Sequence, residues 1–398
     1  MKNPLFLCGP AECGTNLVKA ILGVNKKIHL ESEPFLPLFQ FLRTEIINQT
    51  SKYKKSIKHT EPLSEYYFSM EDLELMKIIQ NSNLKVELKK NKLNHLKKQI
   101  LNRMSDYVPH LKKNINDIKG LNFKEIFDNA LKLIDKNHNK ENIKWLGWLD
   151  SWIEEFFPIL AKAYPGSKFI LILRDPRAAI ASSNNYYNKK DILSLAPMTL
   201  SFLRCWRKQV AMAEYFNSTP LLKNRCITVK YEDLVRNPKK ITKKLCNFLN
   251  IKYASNMIDS SNFMGLGQNT KKWVSNSNFN SKQKGIYKTS LFKWKKHLDP
   301  IIKNFIELIV GIELKYLGYI KKLPKLSKLS KSKIISYHEH NFRTSKGWRT
   351  SKNLPSSDIG LELSRYKYLE LKKISNSEIK QNFLFKEAFL AFRNKVIK

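Results

Sequence analysis

This chain has little with which to lock itself covalently. Its five cysteines, Cys8, Cys13, Cys205, Cys226 and Cys246, are odd in number and contain no Cys-x-x-Cys pair. That excludes a disulfide framework and a structural zinc module, and it points to a reducing compartment. The eight histidines are scattered. Only His338 and His340 sit close, without other ligands beside them, so they read as a surface strand or loop rather than a metal site. No apolar run approaches the ~18–20 residues that span a bilayer. The opening stretch from Pro4 to Gly9 superficially resembles a signal peptide, but it is too short, and Glu12 and Asn16 interrupt its continuation. The expectation is a soluble, cytoplasmic protein.

Acids are scarce too. There are 34 Asp and Glu against 72 Lys and Arg in 398 residues, a net charge of +38. Such a balance attracts phosphates, sulfated glycans, nucleic acid or anionic lipid. Lysine is spread along the whole chain rather than gathered in a stripe, as compositional drift would leave it, so charge alone names no partner. No nucleic-acid motif accompanies it. Hydrophobic residues at 42% and aromatics at 11% exclude wholesale disorder. The length allows one large domain with extensions, or two to three domains of about 100–200 residues.

Leu5 to Cys8 is a short apolar run ended by Gly9-Pro10, as a buried strand would be. From Gly14 the period changes, with Leu17, Ala20, Ile21 and Val24 at helical spacing. Residues 50–142 are rich in Lys, Asn and Glu, with apolar residues at helical intervals (Leu73, Leu75, Met76, Ile79; Leu93, Leu96, Ile100, Met104), and read as a helical insertion or cap. Trp145, Trp148 and Trp152 fall on one face of a helix or its approach and suit core packing. Ile153 to Tyr164 is helical. Phe169 to Leu173 is an unbroken apolar run, suited to a strand buried on both faces of a parallel sheet. Pro176 opens another helix, Met198 to Phe216 forms a longer one, and Cys226 to Val229 is a third buried strand. Asn237-Pro238 starts a helix running to Leu249. Alternating strands and helices predict an α/β fold with a parallel sheet flanked by helices. The domain division is 1–320 for the α/β unit, including the insertion, and 321–398 for a basic linker and helical extension. The last helix, Ser377 to Ile397, would dock on its own core or on a second copy in a homo-oligomer.

Gly9 and Gly14 bracket four residues at the mouth of a helix, the spacing of a P-loop-like phosphate cradle built from backbone N–H groups. An ordinary strand-to-helix turn has the same look. It is not a Walker A loop, because Thr15 and Asn16 stand where Lys and a hydroxyl residue are needed. Without that lysine, NTP-dependent phosphoryl transfer loses its phosphate clamp. Arg174 emerges at the carboxyl end of the Phe169–Leu173 strand, where ligands bind in open α/β sheets. Ser182 lies two turns into the next helix. A guanidinium fork and a hydroxyl suit a phosphate; a salt bridge from Arg174 and a packing role for Ser182 are the alternatives.

These two segments together resemble the sulfotransferase family, enzymes that use 3′-phosphoadenosine-5′-phosphosulfate (PAPS). The first loop resembles its 5′-phosphosulfate loop, and Arg174 with Ser182, eight apart, resembles its 3′-phosphate-binding strand and helix. Val229-Lys230-Tyr231-Glu232-Asp233-Leu234-Val235 with Pro238, Phe248 and Leu249 is similar to the family's Y-E-D-L segment. Trp294-Lys295 with Leu298, closing at Leu317-Gly318-Tyr319, is similar to its C-terminal region. The likeness covers residues 4–40 and 150–320, and the tyrosylprotein and carbohydrate branches look nearest.

The resemblance implies a sulfuryl transfer from PAPS to a hydroxyl of a glycan or tyrosyl-peptide acceptor, by in-line displacement and without a metal. Ala11, Glu12, Cys13, Gly14, Thr15 and Asn16 would cradle the 5′ end of this anionic nucleotide. Arg174 and Ser182 would hold its 3′-phosphate, and Tyr231 would lie near the nucleotide. The base would be Glu33, which stands 21 positions beyond Glu12 as in tyrosylprotein sulfotransferases; Glu31 is the substitute, and both are alternatively ordinary loop acids. The loop departs from the family in carrying Glu12 for Arg or Lys and Cys13 for a hydroxyl residue. Glu12 is expected to turn outward, to pair with a lysine, or to mark a weakened activity. Lys144 is a candidate to compensate. A catalytically inactive member that binds nucleotide or an anionic polymer is the alternative function.

Overall fold

The computed structural model describes residues 2–50, 58–60, 63, 70–186, 196–264, 286, 288–324, 332, 365–371 and 373–397. Five parallel strands form one sheet: β1 Asn3–Cys8, β2 Ile28–Ser32, β3 Trp145–Leu149, β4 Lys168–Leu173 and β5 Cys226–Lys230, in the order β2-β3-β1-β4-β5. β1 is central, pairing with β3 through Leu5↔Gly147 and with β4 through Leu7↔Ile170. Its unbroken apolar run follows from that position, because both faces are covered. Leu5 and Leu7 face the helix Thr15–Gly23, while Phe6 and Cys8 face the opposite core.

Three sequence expectations change here. Leu30 to Ser32 belongs to strand β2 rather than to a loop. Trp145 and Trp148 lie on strand β3, not on a helix. Three residues apart on a strand means opposite faces, so Trp145 joins one core and Trp148 the other. The core-packing role stands. Trp148 is fully buried and meets Phe6 and Phe35 edge-on, each with ring centroids 4.9 Å apart. β5, expected to be buried, is an edge strand with intermediate exposure at Ile227 and Thr228.

The helices Met70–Asn81, Lys90–Tyr107 and Phe123–Lys136 share one core with the sheet. Leu93, Leu96, Ile100 and Met104 are the buried stripe of the second helix. Phe127, from the third, stacks at 6.1 Å on Trp148. The terminal segment is two helices, Asn376–Phe383 and Lys386–Val396, not one. The break falls at Leu384, whose φ of 66° is left-handed. Phe389 and Phe392 pack into the same cluster as Trp206 and Ile309, so these helices dock on their own chain. The buried pair Arg365–Glu313 ties the preceding turn to the helix Pro300–Tyr316. Most of the expected basic linker, and His338 and His340, lie outside the described residues. Among the described residues, no helix is long and apolar enough to cross a membrane.

Because Trp148 joins sheet and insertion, Trp148→Ala is expected to cost about 3–5 kcal/mol, the range for large aromatic truncations in a core. Denaturant unfolding measures it.

Candidate functional site

The carboxyl ends of β1, β2 and β3 lie side by side, and backbone hydrogen bonds hold their exits together. Glu33 N–H donates to Leu149 O at 2.8 Å and Asp150 N–H to Leu7 O at 3.1 Å. The loop after β1 turns on two left-handed residues, Glu12 (φ 61°) and Gly14 (φ 87°), the second capping the helix Thr15–Gly23. Glycine is required at 14 for a second reason: an added Cβ would lie 2.3 Å from the Tyr231 ring. Cys13 is fully buried, and burial pushes its thiol well above the usual range. Ala11 is exposed and Thr15 buried. The Asn16 side-chain oxygen is buried without a hydrogen-bond partner.

Arg174 leaves β4 and reaches this loop. Its Nη1 donates to the Glu12 carbonyl at 2.7 Å, and its guanidinium lies 4.5 Å over the Tyr231 ring. The side chain is buried, Nε has no partner, and no carboxylate among the described residues pairs with it. The salt bridge expected as its alternative role falls instead to Arg177, which binds Asp175 at 2.7 Å and Glu307 at 2.6 Å and stacks 4.3 Å over Trp294. Glu232 accepts the Asp175 N–H at 2.9 Å and the Tyr319 hydroxyl at 2.8 Å. Asp175, Arg177, Glu232, Trp294 and Tyr319 therefore brace the turn that aims Arg174.

Ser182 comes to the same place, donating its hydroxyl to the Glu12 carboxylate at 3.0 Å. Glu12 thus finds a serine, and among the described residues no lysine pairs with it. Lys144 is also corrected. It precedes β3 at the amino ends of the strands and donates to Asn250 O at 2.8 Å, on the side of the sheet away from the loop.

Glu33 (φ 51°) and its neighbour Glu31 part company. The Glu31 carboxylate accepts from His29 and His110, both at 3.0 Å, and these bonds hold it far below the usual range despite its burial. It is committed to those imidazoles and is no substitute base. Glu33 instead pairs with Arg103, whose Nε also donates to the Glu33 carbonyl at 2.8 Å. Burial raises the Glu33 carboxyl above its ordinary value; Arg103 lowers it, and the charge of Glu12 raises it. Arg103 comes from the insertion helix Lys90–Tyr107, and its Nε is 4.0 Å from Asp150 Oδ1. Asp150 is fully buried, accepts the Phe35 N–H at 3.2 Å through Oδ2, and leaves Oδ1 without a hydrogen bond. Burial pushes its carboxyl well above the usual range, only partly opposed by Arg103.

Arg103 and Asp150 are the residues that sequence reasoning missed. Asp150 follows the apolar strand Trp145–Leu149 as Arg174 follows Phe169–Leu173, so the same signal marks both. Lys208 is buried between Glu154 at 2.8 Å and Glu155 at 2.6 Å, and the Cys8 thiol donates to Glu154 at 3.2 Å. Among the described residues no group of three or more His, Cys, Asp and Glu is placed to hold a metal ion.

Fold and site together define an α/β protein with a P-loop-like turn at the carboxyl end of its central strand. A model of the Sulfotransferase family matches residues 4–255, and the chain belongs to that family. Protein-tyrosine sulfotransferase 1 of Danio rerio is 30% identical over 148 residues, 35% of this chain and 40% of that protein. A Caenorhabditis briggsae relative is 30% identical over 123 residues, 29% of this chain and 40% of its own length. The chain thus matches about two fifths of the length of these curated relatives. Among solved structures, the sulfotransferase domain from the curacin biosynthetic pathway has a TM-score of 0.40 at 14% identity, covering 75% of this chain and 93% of that one.

Asp150 supplies a pH test. A carboxyl with a raised folded pKa keeps its proton longer in the native state than in the unfolded one. Its contribution to stability is therefore lost as pH rises from about 4 toward the folded value. Asp150→Asn removes that loss. Melting temperatures of both proteins are expected to diverge in favour of the variant as pH rises above about 4.

Proposed function

We propose that the chain is a PAPS-dependent sulfotransferase that moves a sulfuryl group to a hydroxyl of an extended acceptor, a glycan or a tyrosyl peptide. The observation that carries this reading is Arg174: a buried guanidinium that no carboxylate among the described residues pairs with, gripping the carbonyl of Glu12 in a loop of left-handed residues, while Ser182 meets the side chain of the same Glu12. A buried cation needs an anion, and the nearby donors suit a phosphate. Arg174 and Ser182 would hold the 3′-phosphate, and Tyr231 would fix the arginine from its other face. The backbone from Ala11 to Asn16, with the Thr15 hydroxyl, would receive the 5′ phosphosulfate.

The donor brings an activated sulfuryl group whose leaving oxygen belongs to its 5′-phosphate. Charge builds on that oxygen during transfer, where loop N–H groups stabilise it. The acceptor oxygen forms the new S–O bond, and its proton goes to Glu33. The raised affinity of Glu33 for a proton suits a base that works near neutral pH. Arg103, held to both the carbonyl and the carboxylate of Glu33, is a positioning residue. The five cysteines are all buried and free, which supports a reducing, cytoplasmic location.

A second reading, a member that binds nucleotide without turnover, is favoured by Glu12. A carboxylate beside a phosphosulfate is repulsive, by about 1 kcal/mol where well solvated.

Adenosine 3′,5′-bisphosphate is expected to raise the melting temperature of the protein by several degrees when present at hundreds of times its dissociation constant. Arg174→Ala should lose that shift. Transfer of radiolabelled sulfate to glycan and tyrosyl-peptide acceptors then separates the two readings. Glu33→Gln should lower transfer at least about 100-fold while keeping the nucleotide-induced shift. Retained transfer in Glu33→Gln would refute the base, and no transfer to any acceptor would favour the silent member.

A further inference from the structure

The geometry points to Glu12 as an internal competitor for the donor's 3′-phosphate, and so as the residue that sets how strongly the site discriminates nucleotides bearing that phosphate from those lacking it. This rests on the assignment of Arg174 and Ser182 to the 3′-phosphate given above.

Ser182 has one hydroxyl proton, and it is spent on the Glu12 carboxylate at 3.0 Å. A hydroxyl donates to one acceptor at a time. A phosphate at Ser182 and the Glu12 carboxylate therefore exclude each other as its acceptors, and their like charges repel at that distance. The carboxylate is not there by slack in the chain. Arg174 grips the Glu12 carbonyl at 2.7 Å, and the residue is held at φ 61°, a conformation uncommon outside glycine and asparagine. One arginine thus holds the backbone of the residue whose side chain meets the arginine's own partner serine. The loop carries a carboxylate where a ligand anion belongs.

The consequence differs between ligands. A nucleotide with a 3′-phosphate must displace the carboxylate from Ser182. A nucleotide without one leaves the contact undisturbed. Glu12 therefore weakens the first kind more than the second, which meets only its general repulsion. The donor and its spent product carry the same 3′-phosphate, so a loosened hold on that group favours release of the product, a step that limits turnover in many enzymes.

The test needs no acceptor. Affinities of adenosine 3′,5′-bisphosphate and adenosine 5′-monophosphate are measured by calorimetry for the full chain, Glu12→Asn and Glu12→Gln. Asparagine tolerates positive φ but is too short to keep the contact; glutamine keeps an acceptor oxygen and loses the charge. The preference for the bisphosphate is expected to rise about tenfold in Glu12→Asn and less in Glu12→Gln, any gain in monophosphate affinity being the smaller of the two. An unchanged or reduced preference in both variants, in a wild-type protein that does prefer the bisphosphate, overturns the competitor role alone. Equal gains for both nucleotides also overturn it, because that is general repulsion. A wild-type protein and variants that all bind the two nucleotides alike sink the 3′-phosphate assignment itself, and the competitor with it.

Discussion

A buried arginine, Arg174, that no carboxylate among the described residues pairs with is the constraint around which this molecule is arranged. Leaving a guanidinium in the interior unmatched is costly, and its position has to be enforced by everything around it. The enforcement is visible. Tyr231 covers one face of Arg174, the Glu12 carbonyl takes one of its N–H groups, and Trp206 donates to its backbone carbonyl at 2.9 Å. The next turn is clamped by Arg177, Asp175, Glu232 and Tyr319. Several residues that look functional by sequence pattern are in this sense carpentry. They spend their hydrogen bonds on one another so that Arg174 can keep Nε unspent.

The insertion is part of the same construction. A cap laid over a finished domain would contribute loops at the rim. Here the helix Lys90–Tyr107 buries Leu93, Leu96, Ile100 and Met104 in the core that also holds Phe6 and Trp148. Being anchored there, it carries Arg103 to the carboxyl end of β2. The result couples Glu33 and Asp150 through one cation. Two carboxyls raised by burial share a single positive charge, so their protonation states depend on each other.

How much of this was legible depended on whether the signal was local. β1, β4 and Arg174 could be read because a strand buried on both faces is an unbroken apolar run, and the residue leaving it stands at a ligand-binding edge. The same logic reaches Asp150, but Gly147 and the two tryptophans of Trp145–Leu149 imitate a helical stripe. β2 was hidden by His29 and Glu31, polar residues in a strand whose pairing is satisfied by His110, some 80 positions away. Arg103 carried no signal at all: one basic residue among many in a lysine-rich insertion, distinguished only by tertiary contact. The contact of Glu12 with Ser182 was equally illegible, since the serine lies 170 residues further along the chain.

Charge works at two ranges in this protein, and they pull in opposite directions. The chain as a whole carries +38, a field that draws anions toward any crevice and speeds encounter. At the strand ends, Glu12, Glu33 and Asp150 converge, with Arg103 and Arg174 as the described cations among them. Long-range attraction is screened by salt beyond about 8–10 Å, whereas contacts in the buried site are not. Arrival is thus governed by the net charge and the hold by local acids, so a strongly basic protein need not be a strong retainer of anions. For the proposed sulfotransferase, which would release a nucleotide about as charged as the one it took up, that separation would have a physical logic: fast capture from the global field, and local acids that would keep capture from becoming storage.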